Sequence, residues 1–514
     1  MFKGHPKGLI SASLSNMGER FGFYTMMAIL VLFLQAKYNM TGTDAGIIYS
    51  VFYFLLYILA LVGGIIADKT GNYKGTITSG LVMKVVGAVF IAYPTVTPVA
   101  NVTVSLGIIC FGLFLYAFGT GLFKGNLQAL VGQMYDHPDY KKMRDSGFVL
   151  FYAFINVGAI FAPLAAIGVR NWWLSKNNFL YNSSLPEYCH SYLEGTINSE
   201  SIVRFQEFAD AASGTVVNDL AAFSTKYLNV FTTGFHYAFG IAALAMVTSL
   251  VIFLINKRTY PDPKSANSSA NEFTKEEVKM EAAEIRQRMY ALFAVFGVVI
   301  FFWFSFHQNG LTLTYFARDY TDLSVISFKI LGISFEGAEI FQVMNPFFVV
   351  FLSPIVVGLF GWLRAKGLEP STPKKIAIGM AISALGFVVM MIGSFGLPLF
   401  ETISPSEGGI ALGNTERVTP MLLIGTYFIL TIAELFISPM GISFVSKVAP
   451  PHLQGLMQGG WLGATALGNG LLFIGAIFYE SIPLWATWSI FVVVCVISML
   501  TMLFMLKWLE RVSK

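Results

Sequence analysis

Runs of about 20 apolar residues recur twelve times along the chain, near 17–36, 47–67, 76–96, 102–131, 146–168, 235–256, 289–316, 341–363, 376–399, 420–446, 456–479 and 484–507. A helix of roughly that length crosses the hydrocarbon core of a bilayer. Inside that core every backbone group must find its partner within the protein, and a helix does this within one segment. Composition agrees, with 55% of the 514 residues apolar and 12% charged, about half the charge of soluble domains. A soluble fold could not cover its surface with so few polar groups. An all-α membrane protein of twelve spans is expected. The first run contains Glu19 and Arg20, which a disposable signal peptide has no reason to carry, so it counts as the first span.

An even number of spans returns both termini to one side of the membrane. Cytoplasmic loops accumulate Lys and Arg. With cytoplasmic termini, 22 of the 33 fall on the inner side, 8 on the outer side, and three (Arg20, Lys84 and Lys124) inside spans. Cytoplasmic N- and C-termini are therefore expected. Two polar stretches interrupt the pattern. Residues 258–288 read as a cytoplasmic linker, in which Thr274 and Glu277 fit a capping box that opens an amphipathic helix. Residues from about 170 to 230 read as a solvated outer insertion with a helix around 199–212. The division is then an N-terminal six-helix bundle over 1–257, the linker, and a C-terminal six-helix bundle over 289–514. Carriers built from two such halves place their substrate at the midplane between them.

Several function classes drop out. A net charge of +4 is too small and too dispersed for nucleic acid. Cys110, Cys189 and Cys495 form neither a disulfide framework nor a metal set. Neither Gly-x-x-x-x-Gly-Lys-Ser/Thr nor His-Glu-x-x-His occurs, so there is no signature of a nucleotide-driven pump or a zinc hydrolase. An enzyme is not expected.

The charges inside the spans carry the functional argument, because such residues are costly and face cavities or partners. Glu19, Arg20 and Lys124 belong to the first six spans, and Glu434 to the last six. Lys84 reads as a side chain snorkelling from the cytoplasmic end of the third span. A cavity between the halves would be positive on one wall and negative on the other. The matching ligand carries a carboxylate and an ammonium a few ångströms apart, as amino acids and short peptides do. A Lys124–Glu434 ion pair is expected to close one gate when the site is empty, with a zwitterion then replacing each partner. Arg20 adds a planar fork suited to a carboxylate. Asn16, Arg20 and Tyr24 lie at i, i+4 and i+8 on one stripe.

The motifs follow in order. Span 1 reads Asn16-Met-Gly-Glu-Arg-Phe-Gly-Phe-Tyr24, and span 2 ends Gly63-Gly-Ile-Ile-Ala-Asp68-Lys-Thr-Gly. Span 4 has Gly119-Thr-Gly-Leu-Phe-Lys124-Gly-Asn126, and span 5 Phe151-Tyr-Ala-Phe-Ile-Asn156-Val-Gly158. Span 7 has Trp303-Phe-Ser-Phe-His307-Gln308, and span 8 Asn345-Pro346. Span 10 carries Glu434-Leu-Phe-Ile-Ser438-Pro439, and span 11 Gln458-Gly-Gly-Trp461. The end of span 2 resembles the loop signature of the major facilitator superfamily, with Asp68 as an intracellular gate residue. As a set, the motifs resemble the proton-dependent oligopeptide transporter (POT/PTR) family of that superfamily, over all twelve spans.

The resemblance implies a secondary active transporter in a bacterial inner membrane, importing di- and tripeptides by proton symport as a monomer among lipid, without other cofactors. It implies that Lys124 and Arg20 serve the peptide carboxylate and that Glu434 holds its amino terminus. Asn156 and Asn345 would bond the peptide backbone, and Tyr24, Tyr57 and Trp461 would line side pockets. Glu19, Arg20, His307 and Glu434 are the candidates for proton coupling. Departures from the family pattern are Asn16 for a glutamate, Phe23 for a tyrosine, and Met27 with His307 in place of an arginine–glutamate pair. The alternatives are a same-fold carrier of another zwitterion or anion, such as nitrate or a modified amino acid, or a peptide carrier whose proton coupling is altered or absent.

Overall fold

The computed structural model describes residues 4–261, 282–450 and 453–513. Twelve helical segments among them are long and apolar enough to cross a membrane. The first six are Gly8–Tyr38, Gly42–Thr70, Tyr73–Ala92, Val102–Met134, Ser146–Lys176 and Leu220–Ile255. The last six are Ala283–Asp319, Ala338–Ala365, Thr372–Gly393, Met421–Val448, Gln454–Ser481 and Leu484–Val512. All twelve expected spans are present, numbered 1 to 12 below. Large apolar side chains stay on the outside, with Phe504 93% and Ile255 76% exposed, as hydrocarbon surroundings require. The chain is an integral membrane protein.

Local chemistry sets the ends of the helices. Thr41 accepts from the Asp44 amide at 3.0 Å to open span 2, and Asp219 accepts from the amides of Ala221 and Ala222 to open span 6. Side-chain oxygens satisfy amides that a helix start leaves unpaired. Spans 3 and 4 pack backbone to backbone. A Cβ at Gly87 would lie 2.5 Å from the Gly112 carbonyl oxygen, and one at Gly119 would lie 2.4 Å from that of Gly80. Small residues allow this approach where apolar surface alone gives no drive for helices to associate in lipid.

Four features depart from the expectation. Span 6 starts at Leu220 rather than near 235, so the segment between spans 5 and 6 shrinks to 177–219. It holds the expected second helix, Ser199–Ser213, and also an unforeseen one, Leu185–Glu194. Nor is it a solvated decoration: Tyr188, Cys189, Phe205 and Ala209 are fully buried. Spans 7 and 11 are each broken, the first by a tight turn at His307–Gly310 and the second between Gly470 and Phe473. A short antiparallel hairpin, Phe328–Ile330 with Ile333–Phe335, follows span 7 in this otherwise helical chain. The linker's capping box at Thr274 and Glu277 lies outside the described residues.

The two breaks face and repair each other. Gln308 Nε2 donates to the Phe304 carbonyl in span 7 and to the Leu472 carbonyl in span 11, both at 3.2 Å. The Asn309 carbonyl, freed by the turn, accepts from Gln342 at 2.6 Å and from the Tyr427 hydroxyl at 2.7 Å. Irregular backbone at membrane depth persists only where the protein meets its hydrogen-bonding needs in this way.

Candidate functional site

The sequence-predicted residues fall into two layers. Tyr24, Tyr57, Lys124, Asn156, Asn345 and Glu434 are partly exposed although they lie within spans, so they border open space between helices. Glu19, Arg20, His307 and Trp461 are buried behind them.

On the wall from the first six spans, Glu19 is fully enclosed. Arg20 forks onto it, with Nε 2.5 Å from one carboxylate oxygen and Nη2 2.6 Å from the other. The Arg20 guanidinium also lies 4.5 Å from the Phe23 ring centroid. Lys84 donates to the same carboxylate. This overturns the snorkelling reading, because Lys84 is fully buried, 11 residues into a helix that starts at Tyr73. That depth is about 16 Å at 1.5 Å per residue, beyond the reach of a lysine stem. Its ammonium rests 4.2 Å from the Tyr116 ring centroid. Lys124 is held differently, with its Nζ 4.7 Å from the Tyr57 ring centroid.

On the opposite wall, Asn345 donates to Glu434 at 2.7 Å and to the Thr431 hydroxyl at 3.2 Å. Span 8 thus orients the carboxylate of span 10. The expected Lys124–Glu434 ion pair is absent among the described residues; each group has found a partner on its own wall, an aromatic face for Lys124 and an amide for Glu434. Trp461 wedges against span 10, where a Cβ at Gly441 would lie 1.8 Å from the ring. Asn156 makes only a long 3.4 Å bond to the Tyr152 carbonyl, which leaves its amide available.

His307 joins the two walls through rings. It lies 4.7 Å from Tyr53 and 4.8 Å from Trp303, centroid to centroid, and Tyr53 is 5.7 Å from Tyr57. Its Nδ1 is 2.5 Å from Asn469 Oδ1, and no carboxylate pairs with it among the described residues. Neither Gln308 nor a backbone carbonyl is its partner. Asp68 is exposed and accepts from the Tyr73 hydroxyl one loop away, a contact within its own half that latches nothing across. Sequence reasoning gives Lys84 a snorkelling role instead of a place in the site, and it does not single out Thr431 or Asn469. For Lys84 the available signal was its distance from the true start of span 3; for the other two, sequence offers none.

Among the described residues, no group of His, Cys, Asp and Glu is arranged to hold a metal ion. The site presents a partly exposed ammonium and a partly exposed carboxylate on facing walls, with amides and aromatic rings between them.

Known proteins are similar to this chain over most of its length. The peptide transporter YePEPT of Yersinia enterocolitica is 28% identical over 487 residues, covering 91% of this chain and 87% of that protein. The dipeptide and tripeptide permease A of Klebsiella pneumoniae is 27% identical over 461 residues, covering 88% and 80%. Among solved structures, a variant of peptide transporter POT in complex with alafosfalin superimposes with a TM-score of 0.72 at 23% identity, over 100% of this chain and 96% of that one; this supports the major facilitator fold. The POT family model matches residues 74–276 and 267–484. The chain belongs to the POT family.

Proposed function

We propose that the chain is a secondary active transporter that imports di- and tripeptides by proton symport, alternately opening the site to the two sides of a bacterial inner membrane. The observation that carries this reading is a pair of partly exposed charges with no ionic partner among the described residues, Lys124 on one wall and Glu434 on the other. A peptide's carboxylate and ammonium would complete both. Relatives named for peptides, dipeptides and tripeptides support the substrate class. A bare anion such as nitrate would gain nothing from Glu434. The two walls belong to the N-terminal bundle over 1–257 and the C-terminal bundle over 289–514. Both come from one chain, so a monomer suffices.

Within this reading Lys124 receives the carboxylate, Glu434 and Asn345 receive the amino terminus, and Asn156 bonds the peptide backbone. Tyr24, Tyr57 and Trp461 shape the side pockets. Arg20 acts through Glu19, since its fork is already occupied. Of the proton candidates, Glu434 borders the open space and Glu19 lies one layer behind. The Lys and Arg bias of the loops supports cytoplasmic termini.

The test is uptake of labelled dialanine into liposomes with and without an inward proton gradient. Concentrative uptake that requires the gradient is the expected result. Lys124→Ala should abolish it while the protein still inserts, and gradient-driven uptake by a folded Lys124→Ala protein would sink the assignment.

A further inference from the structure

Buried charge around the site does not balance. Arg20, Lys84 and Lys124 are three cations, whereas Glu19 and Glu434 are the carboxylates of the central region. Glu19 is shared by Arg20 and Lys84, leaving one positive charge in excess in that cluster. Lys124 adds a second, and Glu434 across the gap offsets only one of the two. Any proton on His307 would enlarge the excess.

Lys84 occupies a purpose-shaped place. Gly119 of span 4 leaves room for its stem, since a Cβ there would lie 2.7 Å from Lys84 Cγ. The Tyr116 face then supports the ammonium. A lysine held this way, fully enclosed, cannot shed its field into water. Low-dielectric walls focus such a field into the adjoining cleft.

We propose that Lys84 is a specificity-determining residue, whose charge biases the site toward ligands of net charge −1, the class of short peptides with an acidic side chain. This rests on the peptide reading above. A zwitterion satisfies Lys124 and Glu434 but leaves the excess unanswered, whereas an additional carboxylate answers it. Lys84 need not touch the ligand. It acts through its charge: Arg20 already balances Glu19, so the Lys84 charge is the excess that adds to that of Lys124.

The test compares the near-isosteric dipeptides Ala-Glu and Ala-Gln, together with Ala-Lys, as ligands of the purified full-length protein in detergent at about pH 7.5. Equilibrium binding is used because membrane potential then plays no part. Ala-Glu is expected to bind about tenfold more tightly than Ala-Gln, the order that one unit charge supplies over about 12 Å at an effective dielectric of about 20. Ala-Lys should bind most weakly. In Lys84→Gln the Ala-Glu preference should fall toward unity while Ala-Gln still binds, a change in ratio that a merely structural role would not produce. Lys84→Arg should keep the preference, and the parent ratio stands even if Lys84→Gln fails to fold. Equal binding of Ala-Glu and Ala-Gln to the parent overturns the proposal and leaves the peptide reading intact, as does an unchanged ratio in Lys84→Gln. If none of the three dipeptides binds, both fall together.

Discussion

The two ends of the helical bundle hold their polar groups in opposite ways. At the end carrying the 177–219 segment, contacts run between the first six spans and the last six. Arg170 pairs with Glu339, both fully buried, and Asn171 donates to the Ser334 and Glu336 carbonyls at 2.9 Å. Glu480 of span 11 accepts from the amides of Gly42 and Thr43, capping span 2 from across the gap. Arg318 donates to Gln35 at 2.6 Å. The segment itself adds a clasp, through Glu187 to Ser404 and Ser406, Asn198 to Gly408 and Ser201 to Gly409. At the end carrying the termini, the corresponding groups among the described residues turn inward to their own half. Glu369 is shared by Arg364 and Lys375, Glu510 takes Ser371, and Asp68 takes Tyr73. A carrier that holds one end shut by cross-links leaves the other end as the entrance. Among the described residues, the contrast thus describes a state held shut at the segment end.

The sharpest way to break the contrast is to remove Arg170, which would leave the enclosed Glu339 carboxylate alone. Breaking a buried pair costs roughly 3–5 kcal/mol. In Arg170→Met the segment end is expected to open, read as a longer distance between spin labels at the exposed positions Val203 and Glu407. An unchanged distance would mean that the clasp alone holds that end. A smaller effect is expected from Glu480→Gln, which keeps a capping oxygen but loses the charge. That loss is worth roughly 1–2 kcal/mol at a helix N-terminus, and the same labels should show a minor open population. The smallest effect should come from the other end. Arg364 first, then Lys375, pull Glu369 down to about 2 from 4.5. Its contribution is therefore present above pH 4.5 and lost as pH falls toward 2. Because the pair with Arg364 is largely exposed, Glu369→Gln should change stability at neutral pH by less than about 1 kcal/mol and leave the label distance unmoved. A large movement there would erase the distinction between the two ends.

How much of this was legible in the sequence depends on how local the information is. The twelve spans were readable because hydrocarbon length is written into consecutive residues. Lys124, Glu434 and their neighbours were readable because ionisable groups inside apolar runs stand out against them. Arg170 falls at the edge of the stretch that reads as the outer insertion, since its partner Glu339 lies 169 positions away and nothing near either one announces the pair. Lys84 reads as a snorkelling side chain because sequence does not show Glu19, 65 positions away, as its buried partner. The helix Leu185–Glu194 escaped notice because its buried positions, Leu185, Tyr188 and Cys189, match a pocket made by distant elements.

The mutual repair of spans 7 and 11 has a mechanical consequence. One amide, that of Gln308, serves carbonyls on both sides of the junction. If either helix bent alone, the Gln308 amide would lose its bond to the Leu472 carbonyl in a medium that offers the amide no replacement. The two short segments beyond the breaks, Thr312–Asp319 and Phe473–Ser481, must therefore swing as one lever. Arg318 rides on the first and Glu480 on the second, so a single stroke would withdraw two bolts from the closed end together.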